Sequence, residues 1–294
     1  MIAPLLAAAA LTWHSNPPLP VARTEVAGTS WRDQVVVAAG FTGDSRASAR
    51  VDAYNPRRRS WRRLPDLPLA LNHAMAASGN GRLYVLGGYA VGETGPVRDA
   101  FVLDGARWRR LRPMPYARAA GGAAFIGNTL YVAGGVGPYG TARSMMAYDV
   151  GRKRWRVLTG PSPREHLGVT ALRGDLYVVA GRLHGQPLSI VQRWSPVTRR
   201  WERVASMPEP RGATAASVAD GQIVDAGAES VAGTSAAVYA YDPKTNRWRR
   251  LPDQPIARHS VAVVGVGSTI YVVGGGPTPG LTVTAANESL NLAG

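Results

Sequence analysis

The chain has 294 residues, of which 45% are hydrophobic, with 34 glycines, 22 prolines and no cysteine. Such a composition belongs to a globular, turn-rich chain; it excludes disulfides, thiolate metal sites and cysteine nucleophiles, and no run of about 18 apolar residues could span a membrane as a helix. The formal net charge of +15 is almost wholly arginine, since Lys153 and Lys244 are the two lysines, so the placement of the arginines decides whether they mark an anionic partner.

Residues 1–10, "MIAPLLAAAA", form a short apolar run ending in Ala8-Ala9-Ala10, the small-residue pattern a signal peptidase accepts. No Lys or Arg precedes it, and Pro4 interrupts it. The expectation is an export signal over 1–10 and a mature chain from Leu11, secreted or periplasmic; without cleavage the chain is expected in the cytoplasm.

Beyond it, tryptophan reveals a repeat. Trp13, Trp61, Trp108, Trp155, Trp201 and Trp248 are 48, 47, 47, 46 and 47 residues apart. A second marker runs in phase: Gly40, Gly88, Gly135, Gly181, Gly227 and Gly275, each preceded by Gly or, at Ala39, Ala180 and Ala226, by Ala. On this reading only the second glycine is strict. Each unit holds four short β-runs, here called a to d, with turn residues between them and no helix-period segment. After Trp108, for example, come "AAGGAAFI", a Gly127-Asn128 turn, "TLYVAGG", then "SMMAYD" and Trp155.

A sheet of four short strands has two faces and cannot bury both alone; six stacked around an axis can. Strand a, rich in Ala and Gly, suits the crowded axis, and the Trp of strand d suits the periphery, where sheets splay apart. The last unit ends without a tryptophan, whereas Trp13 stands alone at the start. Residues 11–294 are therefore expected to form one all-β, six-bladed propeller of four antiparallel strands per blade. The Trp13 strand would complete the C-terminal blade beside a strand c near Val283, leaving no free sheet edge there.

The Gly pair after "LYV", a Tyr seven residues before Trp (Tyr54, Tyr148, Tyr241) and Pro-x-Ala-Arg (Pro115 to Arg118, Pro255 to Arg258) resemble kelch repeats over essentially the whole chain. The resemblance implies ligand binding on the face shared by the d-to-a and b-to-c connections. The residues implied are those opening strand a, the two following, and the one after the Gly pair. Counting 17 back from each second glycine gives Arg23, Leu71, Arg118, Arg164, Pro210 (with Arg211 beside it) and Arg258. The expected ligand residues are Arg23, Asn72, His73, Tyr89, Arg118, Arg164, Arg182, Arg211, Arg258 and His259.

Two functions follow from this arrangement. One is a non-catalytic binding or scaffold propeller that offers its channel mouth to a small anionic ligand, an acidic sugar or a protein partner; the arginines would attract the anion, or else serve as repeat consensus. The other is a sugar-acid mutarotase, since exported six-bladed kelch proteins include sialic acid mutarotases. Glu165, His166 and Glu209 are then the acid/base candidates, with an arginine anchoring the carboxylate. Copper chemistry of the galactose oxidase kind requires a Tyr–Cys crosslink and is excluded. A zinc site of His73, His166 and His259 is set aside, because the three come from alternate blades and His259 is out of phase. No metal or cofactor is expected, and the protein is expected to be a monomer. The clusters "PRRRSWRR" (56–63), "GRKRWR" (151–156) and "NRWRR" (246–250) surround strand d and read as charge guarding the outer edges rather than as a nucleic-acid surface.

Overall fold

A computed structural model describes residues 11–230 and 232–293; the export signal expected over 1–10 lies outside the described residues. Six four-stranded antiparallel sheets form the blades. In the first blade, strands a to d are Ala27–Trp31, Gln34–Ala38, Val51–Asn55 and Ser60–Leu64. The next four repeat this order. In the sixth, Ala262–Val266, Thr269–Val273 and Asn287–Asn291 are joined by Trp13–Ser15, with Trp13 opposite Leu290. Strand c of this blade thus begins a few residues beyond Val283, at Asn287. No helix among the described residues is long and apolar enough to cross a membrane.

Each of the six repeat tryptophans latches its blade to the one before. Trp61 Nε1 donates to Pro17 O at 2.8 Å, Trp108 to Pro65 O at 2.8 Å, Trp155 to Arg112 O at 2.8 Å, Trp201 to Thr159 O at 2.9 Å and Trp248 to Ala205 O at 2.8 Å. Trp13 does the same to Pro252 O at 2.9 Å, across 239 residues of sequence. A half-buried indole needs a partner for its N–H, and the blade seam supplies one every time. The latch at Trp13 closes the ring.

Near the axis the sheets approach so closely that a Cβ on Gly28 would lie 2.6 Å from Ala262 Cβ. That is why strand a is built from Ala and Gly. The Gly-pair bend is subtler. Its first residue has φ of 59° at Ala39 and 51° at Ala180, left-handed values that alanine tolerates; Gly135, at the second position, has φ 87°, and a Cβ there would meet Ala119 O at 2.4 Å. The fifth blade corrects the sequence alignment. Ala228 N donates to Arg258 O just as Gly40 N donates to Leu71 O and Gly135 N to Arg164 O. The pair there is Gly227-Ala228, one residue later than Ala226-Gly227. The second position is therefore not strict, and Arg211, rather than Pro210, opens strand a.

Candidate functional site

The repeated arginines do not face the mouth. Arg23, Arg118, Arg164, Arg211 and Arg258 are all at most 1% exposed. Each donates to the carbonyl sixteen residues on: Arg23 to Ala39, Arg118 to Gly134, Arg164 to Ala180, Arg211 to Gly227 and Arg258 to Gly274. The guanidinium thus satisfies the orphan carbonyl that the left-handed bend creates. Three are also paired with buried carboxylates, Arg23 with Asp52 at 2.6 Å, Arg211 with Asp225 at 2.8 Å and Arg258 with Glu288 at 2.5 Å. Burial pushes the pKa of Arg23, Arg118, Arg164 and Arg258 down to about 10, which leaves each charged at neutral pH. Leu71 at the equivalent place in the second blade is also fully buried. Expecting these arginines to bind a ligand therefore needs correction: they bolt each blade internally.

Two residues further on, the chain reaches the axis. Glu25, His73, Ala120, His166, Ala213 and Ser260, one per blade, adopt left-handed φ of 51–53°. Their backbones join head to tail: His73 N donates to Glu25 O (3.1 Å), Ala120 N to His73 O (3.0 Å), His166 N to Ala120 O (2.8 Å) and Ser260 N to Ala213 O (2.8 Å). Thr214 N reaches His166 O at 3.4 Å. Where the last blade meets the first, Ser260 Oγ donates to Glu25 Oε1 at 2.7 Å. This ring caps a cavity of about 120 Å³ lined below by the small residues of strand a.

Glu25 is the hub. Its Oε2 lies 3.2 Å from His73 Nε2 and 3.7 Å from His166 Nε2, and the two imidazoles meet edge to face with centroids 4.9 Å apart. Burial opposes ionisation of Glu25, but the His73 and His166 rings and the hydrogen bonds from His73 and Ser260 outweigh it and hold the carboxyl well below the usual carboxylate range. Burial pushes His166 down to about 3; Glu25 opposes this, while His73, Arg182 and His259 reinforce it. His166 is therefore neutral at pH 7.

Around the hub, Arg182 bridges Glu165 (2.8 Å) and Glu229 (3.3 Å), and its Nη2 is 3.3 Å from His166 Nε2. The Glu165 carboxylate also lies against His166 Nδ1. Asn72 Oδ1 is 2.7 Å from His73 Nδ1, and the edge of Tyr89 packs on the same ring at 5.5 Å. His259 is buried, 3.2 Å from Glu229 and 2.9 Å from Ser260 Oγ, with Nε2 3.1 Å from Thr278 O.

Of the expected site residues, Asn72, His73, Tyr89, Glu165, His166, Arg182 and His259 come together at the mouth. Glu209 does not: it is half-exposed beside Arg211 at 2.7 Å, in a side groove with Arg250 and Asp253. Glu25 and Ser260, among the two residues that follow each strand-a opening though not among the ten named ligand residues, complete the network. Their signal was positional, since both stand two residues after a repeated arginine. The outer-edge arginines are exposed, and several are matched locally: Arg63 with Asp66 at 2.6 Å, Arg109 with Asp104 at 2.9 Å and Arg250 with Asp253 at 2.8 Å.

Residues 72–275 match the family model described as the KLHDC2/KLHL20/DRC7 Kelch-repeats domain, and residues 22–68 match the Kelch motif. No curated protein matches the chain. With six latched four-stranded blades and these matches, the chain belongs to the kelch-repeat family of β-propellers.

Proposed function

We propose that the protein is a non-catalytic docking propeller that receives a protein partner on its mouth face. The observation carrying this reading is the contrast of exposure along the b-to-c connections: the guanidinium groups are consumed inside the blades, whereas the loop after Tyr89 raises Val91 (73% exposed) and the loop of the third blade raises Tyr139 (98% exposed) into solvent, the latter over a groove shared with Tyr116 and Val157. Aromatic and aliphatic side chains at loop tips around a polar centre suit a protein interface. The capped cavity at the axis, about 120 Å³, is smaller than the roughly 300–1,000 Å³ that small-molecule sites occupy, and the larger groove of about 750 Å³ lies beneath Tyr139, away from the charged ring. Sugar-acid ring opening would need a free acid/base, and Glu165 is instead engaged by Arg182 and His166.

A photo-crosslinking residue placed at Tyr89 or Tyr139, and at Arg109 on the outer edge as control, tests the proposal in cells making the full chain. A docking mouth yields the same adduct from both mouth positions and none from Arg109. Adducts from Arg109 alone would overturn it.

A further inference from the structure

We propose that Glu25, His73 and His166 form a binding site for one divalent transition cation of the zinc class at the channel mouth. The proposal does not rest on a protein partner docking there. The three side chains each offer one donor atom, all within 4.8 Å of one another. In a tetrahedral zinc site, with metal–ligand bonds of about 2.0–2.1 Å, neighbouring donors lie about 3.3 Å apart. The Glu25 Oε2 distances of 3.2 Å to His73 Nε2 and 3.7 Å to His166 Nε2 approach that spacing without any backbone movement.

Both histidines are oriented from behind, as metal ligands are. Asn72 donates its Nδ2 to Tyr89 O at 3.4 Å, which turns Oδ1 toward His73 Nδ1 at 2.7 Å and makes that nitrogen the donor. Glu165 lies against Nδ1 of His166, behind the second ring. Each Nε2 thereby faces the Glu25 carboxylate, and a bound cation takes the place of the proton that His73 shares with it. Ser260 holds the other oxygen of Glu25 at 2.7 Å, so Oε2 is left for the ion.

The formal charges around the site favour a cation. Glu25, Glu165 and Glu229 face the single guanidinium of Arg182, which both Glu165 and Glu229 already neutralise. Arg182 Nη2, 3.3 Å from His166 Nε2, covers that lone pair until an ion displaces it. Three protein donors leave a fourth position open, toward the mouth or the small cavity beneath, where water would complete the shell. The donor set differs from a three-histidine site because His259 turns instead to Glu229 and Thr278.

The test uses tag-free full-length protein with Zn²⁺ by calorimetry and Co²⁺ by absorption. One cation per chain should bind, with the intense visible bands of four-coordinate Co²⁺, while Mg²⁺ and Ca²⁺ do not compete. His73→Ala and Glu25→Gln should abolish the bands, and Asn72→Leu should weaken binding about 10–100-fold through loss of ring orientation. His184→Ala, an exposed control, should change nothing. Should a ligand variant fail to fold, X-ray absorption of the wild-type Zn²⁺ complex decides, with two imidazoles and oxygen donors expected. Absence of saturable Zn²⁺ binding, or bands that persist in His73→Ala and vanish in His184→Ala, would overturn the proposal while leaving the docking mouth standing.

Discussion

The arginine layer and the mouth ring lie two residues apart in every blade, yet they obey different rules. Arginine recurs at five of six equivalent positions, always buried and always bonded to the bend of its own blade. The ring residues are Glu, His, Ala, His, Ala and Ser, with nearly identical backbone angles and different side chains. In a repeat protein, sameness at equivalent positions reflects a demand each blade makes on itself. Variation at a position where all blades converge is what an asymmetric site requires.

The sharpest way to break this comparison is to empty the arginine layer. Arg211→Met leaves Asp225 buried without its ion partner, and losing one member of such a pair costs about 3–5 kcal/mol. Arg118 donates to Gly134 O and Ser144 O and pairs with no buried carboxylate, so Arg118→Met should cost less, about 2–3 kcal/mol for two unsatisfied carbonyls. Denaturant unfolding of the two variants checks the order. Next comes the bend that the arginine serves. Gly135→Ala forces a Cβ against Ala119 O and should cost about 1–3 kcal/mol, whereas Ala39→Gly, at the tolerant first position, should stay within about 1 kcal/mol. The smallest effect belongs to the ring. Ala213→Ser, which copies Ser260, should change stability by about 0.5 kcal/mol or less in the same assay.

The architecture was legible because two chemical needs recur at one period: an indole to fill and latch each outer seam, and a glycine-type bend where strand b leaves the axis. Ring closure followed from the orphan Trp13. What misled was counting from glycines. Gly227 occupies the first bend position, which displaced the fifth blade by one residue and put Pro210 where Arg211 belongs. The direction of the arginine side chains was also hidden, because a guanidinium that binds a ligand and one that binds a backbone carbonyl read the same in sequence. Leu71 held the clue, since an apolar residue at the same position argues for an interior. The hub role of Glu25 depends on side chains from blades up to 235 residues apart in sequence, such as Ser260, and no local pattern encodes it.

The division between structural arginines and a functional mouth is tested most directly by measuring unfolding free energies of Arg164→Met and His73→Gln side by side. Arg164 bonds Ala180 O, Ser162 O, Val178 O and Gln192 from inside its blade. Its replacement should cost at least about 2–3 kcal/mol through the buried acceptors left unpaired. His73 pairs with Glu25 at 3.2 Å, and a glutamine there, whose amide can still donate to that carboxylate, should cost less, about 1 kcal/mol. If Arg164→Met unfolds like the wild type and His73→Gln collapses, the arginines are the free surface and the ring is the scaffold, contrary to this account.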